Sequence, residues 1–208
     1  MAVKQTKLNF IKKSNDNNDS TIVIFQKNIA ESFDETAVAW TVIKNPKHQI
    51  KYSFVYPSQF KVQAFDPDGN PTSPITACEG QSFELTTDKS ENILKLSSTP
   101  AINKKGVEIK NNLETGAING YALRDEKLLA AKKGIAPGQK AVFEFPPTIW
   151  VGAVSQVEEG DVMKSAVIQS INKELPLVNL SSADIVMTGG GPGATSTPVT
   201  FNLENQKK

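Results

Sequence analysis

The chain has 208 residues, 38% of them hydrophobic, which is long enough to bury a substantial core. Its 23 basic and 22 acidic residues nearly cancel, so no bulk field draws it to nucleic acid or an anionic membrane. One histidine, His48, and one cysteine, Cys78, exclude a His/Cys metal cluster, a Ser-His-Asp triad and an intrachain disulfide, and a single arginine, Arg124, argues against specific base reading.

Residues 1–5 read as a loose leader without a signal-peptide core, and no stretch approaches the roughly 18 apolar residues of a membrane span. The expected setting is therefore cytoplasmic, with non-classical export left open. Lys7 to Lys12 predicts a strand, and the Asn/Asp-rich run 14–19 a polar loop. Thr21 to Lys27 predicts a central strand, since Ile22, Val23, Ile24 and Phe25 are apolar on both faces. After a polar connection at 29–36, Ala37 to Lys44 predicts a strand around Trp40, closed by Asn45-Pro46.

Lys51 to Phe65 predicts two strands broken at Pro57, ending in the turn Asp66-Pro67-Asp68-Gly69-Asn70. Residues 71–80 read as loop, and Ser82 to Thr87 with Ile93 to Ser97 as a hairpin across DKSEN. Val107 to Lys110 and Ile118 to Leu123 are expected to pair across Glu114-Thr115-Gly116, followed by a strand at Leu128 to Lys132. Ala141, Phe143 and Phe145 alternate with polar neighbours up to Pro146-Pro147; Thr148 to Val154 predicts the next strand, with Trp150 opposite Ile149 and Val151. Residues 165–171 fit a strand or a short helix, Leu175 to Leu180 and Ala183 to Met187 read as strands, and Pro198 to Leu203 as the last one, after a glycine-rich loop.

The pattern of Phe54, Tyr56, Pro57, Phe60, Val62 and Ala64 recurs as Phe143, Phe145, Pro146, Ile149, Val151 and Ala153, with four of eleven aligned positions identical. LNFIKKSN and STIVIFQK resemble VEIKNN and AINGYALRD in the same order. These matches read as a weak internal duplication of 6–66 and 106–161 within one domain, 1–208. The expected fold is all-β, an antiparallel β-sandwich with few or no long helices.

Candidate chemistry is sparse. Asp66 to Asn70 has the look of a calcium loop, but Pro67, Pro71 and the missing distal glutamate speak against one. Gly189 to Gly193 lacks the Gly-Lys-Ser/Thr ending of a phosphate loop. Glu158, Glu159 and Asp161 form an acidic turn, and His48 sits among lysines as a surface residue. No catalytic, cofactor or metal residue is assigned. Among the aromatics, Trp150 and Tyr52 are the two expected to face outward or into a partner.

The runs IFQKN (24–28), VAWTVIK (38–44), YSFVY (52–56) and PTIWVGAVSQVEEGDVM (147–163) resemble the RhiA family of small bacterial proteins. The resemblance covers about half the chain and implies a non-enzymatic or uncharacterised cytosolic product. Some similar sequences carry the label aromatic ring-opening dioxygenase, which one histidine cannot support. The expected role is that of a non-catalytic structural or interaction protein forming a homo-oligomer or polymer through its sandwich surfaces or edges. The alternative is a membrane- or glycan-binding module of the aegerolysin, actinoporin or lectin kind.

Overall fold

Strands account for nearly all the regular structure in the computed structural model, which describes residues 5–14, 20–30, 37–164, 167, 168, 171, 173–191 and 193–208. The protein is all-β. The leader at 1–4, the greater part of the loop at 14–19 and the connection at 31–36 lie outside the described residues, as do 165, 166, 169, 170, 172 and 192.

The first half of the chain supplies β1 (Gln5–Lys12), β2 (Thr21–Phe25), β3 (Thr41–Lys44), β4 (Lys51–Pro57), β5 (Phe60–Phe65), β6 (Ile75–Ala77), β7 (Ser82–Asp88) and β8 (Glu91–Leu96). The second half supplies β9 (Val107–Asn111), β10 (Ile118–Arg124), β11 (Lys127–Ile135), β12 (Lys140–Phe143), β13 (Thr148–Val154), β14 (Glu174–Pro176), β15 (Ser182–Gly190) and β16 (Thr197–Lys207). Where the sequence suggested one domain over 1–208, the chain divides into two compact units. Unit 1 holds Met1–Gln26, Val38–Ser58 and Pro147–Lys208, and unit 2 holds Lys27–Ala37 and Gln59–Pro146.

Each unit contains two open four-stranded sheets. In unit 1 the strand orders are β16-β15-β1-β4 and β14-β13-β2-β3; in unit 2 they are β12-β9-β7-β8 and β11-β10-β5-β6. Pairing is antiparallel except for β1 with β15 and β7 with β9, which run parallel. Replacing each strand of unit 1 by the one eight places away reproduces both orders of unit 2, and both parallel pairs coincide. The registers follow suit: Trp150 faces Phe25 as Lys61 faces Leu123, and Ile149 faces Leu175 as Phe60 faces Ala77. The copies read at 6–66 and 106–161 fall inside these two eight-strand halves. Every sheet takes two strands from each half.

The sequence explains the layers. In unit 1, Leu8, Phe10, Ile22, Ile24, Ile149 and Ile185 are fully buried, each worth about 1.5–3 kcal/mol relative to exposure. The two sheets meet where Trp40 packs edge-on against Phe54 and Tyr56 at 5.9 and 6.0 Å, and where Gln26 Nε2 donates to the Tyr56 hydroxyl (3.1 Å). In unit 2, Gly120 of β10 leaves room for Ile109 of β9 and Ala141 of β12 on the facing sheet, inside a core that includes Phe83, Leu85 and Phe143.

One expected pairing does not occur. β9 and β10 belong to different sheets of unit 2 rather than forming a hairpin across Glu114-Thr115-Gly116. Asn111, fully buried, turns the chain instead: its Nδ2 donates to the carbonyls of Gly116 and Ile135 (both 2.9 Å) and its Oδ1 accepts the Leu113 N–H (3.1 Å). The arch packs Gly116, at φ +86°, against Pro67, where a Cβ would collide. Two further differences are small: β6 lies within the expected loop 71–80, and the strand expected at Leu175 to Leu180 is only the three residues of β14. Of the 165–171 segment, Val167 and Ile168 lie in a helical turn closed by bonds to the Lys164 carbonyl.

Candidate interaction surfaces

Trp150 and Tyr52 are not displayed to solvent. Trp150 is only 8% exposed and packs 6.3 Å from Phe25, its register partner on β2. It does face away from Ile149 and Val151, as its strand phase requires, but that outer face is covered. Ile171 lies so close over Gly152, two residues along, that a Cβ there would sit 2.5 Å from Ile171 Cγ1, and Met163 and Ile168 are buried as well. Tyr52 shares the phase of Phe54 and Tyr56, so it points toward the inner side at the edge of its sheet, half-buried, 6.5 Å from Phe10. Its hydroxyl accepts the Lys47 N–H at 2.9 Å.

The other flagged features are structural. Asp66 accepts the N–H groups of Asp68 (3.0 Å) and Asn70 (2.8 Å) and the side-chain amides of Asn70 and Asn92 (both 3.2 Å). Burial raises its pKa, but these donors outweigh that and hold the carboxyl below its ordinary value. A carboxylate so surrounded by N–H donors is a turn anchor and presents no lone pairs arranged for a cation. The acidic turn closes on itself through the Glu158 N–H to Asp161 Oδ2 (2.9 Å), pairs Glu158 with Lys44, and docks on Ala39 through two backbone bonds of 2.9 Å. Gly189 has φ +87° and lies where a Cβ would strike the Pro198 carbonyl, so the glycine run serves the β15–β16 hairpin. His48 is exposed. Among the described residues no group of three or more His, Cys, Asp or Glu side chains could hold a metal ion, and no helix is long and apolar enough to cross a membrane.

What the fold does present is edges. Because all four sheets are open, β3, β4, β14 and β16 end the sheets of unit 1, and β6, β8, β11 and β12 those of unit 2. An edge strand leaves a row of backbone N–H and C=O groups unpaired. β16 is the longest, with 11 residues, and among the described residues its ladder partner is β15 alone. Thr200, Asn202 and Glu204 along it are exposed. By the eightfold correspondence each kind of edge occurs once in each unit, β16 matching β8 and β4 matching β12.

The outer faces of the two sheets with parallel pairs have diverged. In unit 1 one rung runs Ser53-Asn9-Asp184-Glu204 across all four strands. Ser53 Oγ donates to Asn9 Oδ1 (2.7 Å), Asn9 Nδ2 to Asp184 Oδ1 (2.6 Å) and Asn205 Nδ2 to Asp184 Oδ2 (2.8 Å). Burial pushes the Asp184 pKa up, but the two amides, with the charges of Lys51 and Lys13, bring it below the ordinary carboxylate value. Short side chains thus close this face.

In unit 2 one rung runs Lys140-Lys110-Glu84-Lys95, in the place that Lys51-Ile11-Val186-Asn202 occupies in unit 1. Lys140 leans to Glu108 Oε1 (2.7 Å) on the next rung, which also accepts the Ile102 N–H (3.1 Å); Lys95 lies 3.6 Å from Glu84. A groove of about 780 Å³ opens over these side chains, walled by Ser97 to Pro100 on one side and Gly138-Gln139 on the other. Sequence reasoning missed this face. Its residues alternate with Phe83, Leu85, Ile109 and Ala141, so their outward phase was legible, but the register that gathers them into one rung was not.

Comparison of the chain with protein-family models, with curated proteins and with solved structures finds no match.

Proposed function

We propose that the protein is a non-catalytic structural or interaction protein that assembles with further copies of itself through its sheet edges. The observation that carries this reading is the repetition of edges: the duplication places every kind of edge strand twice in one chain. A chain with two equivalent edges is bivalent, and a head-to-tail contact between β16 of one copy and β8 of the next extends into a polymer unless rotation closes it into a ring. A net charge of +1 adds little repulsion between copies. The stretches that resemble RhiA fall mainly on β2 and β13, central strands of unit 1, and on its edge strands β3 and β4, which is consistent with a role held by the scaffold and its edges.

The test is sedimentation velocity of the purified chain at low and high concentration, with negative-stain microscopy of the same samples. Assembly appears as concentration-dependent growth and as fibres, rings or lattices. The double substitution Thr200→Lys and Asn202→Lys, which lines β16 with added charge in the manner of protected natural edges, abolishes growth while leaving the circular dichroism unchanged. A wild-type chain that stays monomeric at high concentration refutes the reading.

A further inference from the structure

We infer that the groove on the outer face of the β12-β9-β7-β8 sheet binds an acidic saccharide, a sugar carrying a carboxylate or sulfate, with Lys110 as the principal contact to the acid group. The inference does not depend on self-assembly, because it concerns the face of a sheet and not its edge.

Three observations combine. Lys140 and Lys110 lie directly opposite each other on one rung, an arrangement of like charges that works against folding. Lys140 is relieved by Glu108, whereas the Lys110 side chain is exposed and its ammonium makes no ion pair among the described residues. The equivalent position in unit 1 is Ile11, which is buried, beside the buried Val186. The rung that carries the buried Ile11 and Val186 in unit 1 carries Lys110 and Glu84 in unit 2, where they line a groove of about 780 Å³, within the size range of small-ligand sites.

The lining fixes the ligand class. Three lysines, Lys110, Lys132 and Lys140, outnumber Glu84 and Glu108 in the lining, and Lys95 stands opposite Glu84 on the same rung, so an anion is favoured. Lysine, a compact ammonium with three donors, suits a carboxylate or sulfate without demanding bidentate geometry. The hydroxyls of Ser98 and Thr99 on the groove wall match a ligand rich in hydroxyls, and the two carboxylates accept from them. Ile102, 86% exposed at the rim, offers an apolar patch to the C–H face of a sugar ring.

The experiment titrates the ¹⁵N-labelled full chain with three oligosaccharides of equal length, one of uronic acids, one sulfated and one neutral, followed by amide chemical shifts. Binding by either acidic sugar, with shifts confined to residues 82–84, 97–110 and 138–140 and weakening with added salt, supports the site; the preferred sugar identifies carboxylate or sulfate. The neutral sugar binds at least about tenfold more weakly, and Lys110→Gln costs about tenfold in affinity, the loss of one charge-assisted contact. Lys7→Gln, an exposed lysine on the corresponding sheet of unit 1, leaves affinity unchanged. Relief of the like-charge rung gives Lys110→Gln a melting temperature equal to or above that of the wild type, which separates lost binding from lost folding. Equal binding of the neutral sugar, shifts outside the groove, no shifts with either acidic sugar, or full affinity in Lys110→Gln overturns the inference.

Discussion

Replacing Trp150 with alanine removes a core side chain, and the cost can be worked from its surroundings. The indole is 8% exposed, packs 6.3 Å from Phe25, and lies on a face sealed by Ile171. A buried aromatic hides roughly 150–250 Å², which at about 25 cal/mol per Å² is about 4–6 kcal/mol. Alanine retains a small part of that area, so the expected loss is about 3–5 kcal/mol, in line with large-to-small aromatic truncations in cores. Against a typical total of about 5–15 kcal/mol, Trp150→Ala is a severely destabilised chain, while Trp150→Phe, which keeps the ring contact with Phe25, loses less than half as much. Urea unfolding monitored by circular dichroism measures both. A Trp150→Ala variant within about 1 kcal/mol of wild type would show that the outer face of β13 is not a packed layer, and would return Trp150 to the role of a surface contact.

Two further outcomes follow from the described contacts. Asp184 has its pKa lowered in the folded chain, so its contribution to stability is complete above the unfolded carboxyl value of about 3.9 and fades as pH falls through the folded value. Asp184→Asn is therefore less stable than wild type at neutral pH by about 1–2 kcal/mol, and the gap narrows below about pH 4; urea midpoints across that range that stay parallel would mean the amide network adds nothing. Gly152→Ala places a methyl group 2.5 Å from Ile171 Cγ1 and costs about 1–3 kcal/mol by overpacking, a penalty that Ile171→Ala partly removes in a double-mutant cycle. Independent, additive losses at the two sites would place Ile171 away from β13.

Much of the strand inventory was legible because burial writes itself as periodicity. β2 shows apolar residues on both faces and is central; β5 and β10 alternate and are half-buried. The halting of the chain at Pro57 and Pro146 was equally plain, since proline cannot donate to a ladder. Pairing was less accessible. β9 and β10 look like a hairpin until Asn111 is seen to satisfy carbonyls on both sides of the arch, and nothing local announces that a polar residue will be fully buried to do so. Trp150 was misjudged for a related reason: phase tells which side of a strand a residue leaves from, but not whether a distant residue such as Ile171 comes back to cover that side. The candidate groove fails to show in sequence for the same cause, because Glu84 and Lys110 become neighbours only through a parallel pairing.

The sharing of every sheet between both halves of the chain has a consequence for synthesis on the ribosome. Unit 2 has all eight of its strands once Phe143 has emerged, whereas β1 to β4 of unit 1 must wait for β13 to β16 and for the chain to run on to Lys207. During that interval β1 and β2, which carry Phe10, Ile22, Ile24 and Phe25, lack the neighbours β15 and β13 that complete their sheets, and the long loops that must close make the step slow. The nascent protein thus spends its most vulnerable period as one finished unit trailing an exposed greasy ribbon, the species from which chaperone capture or misassembly begins.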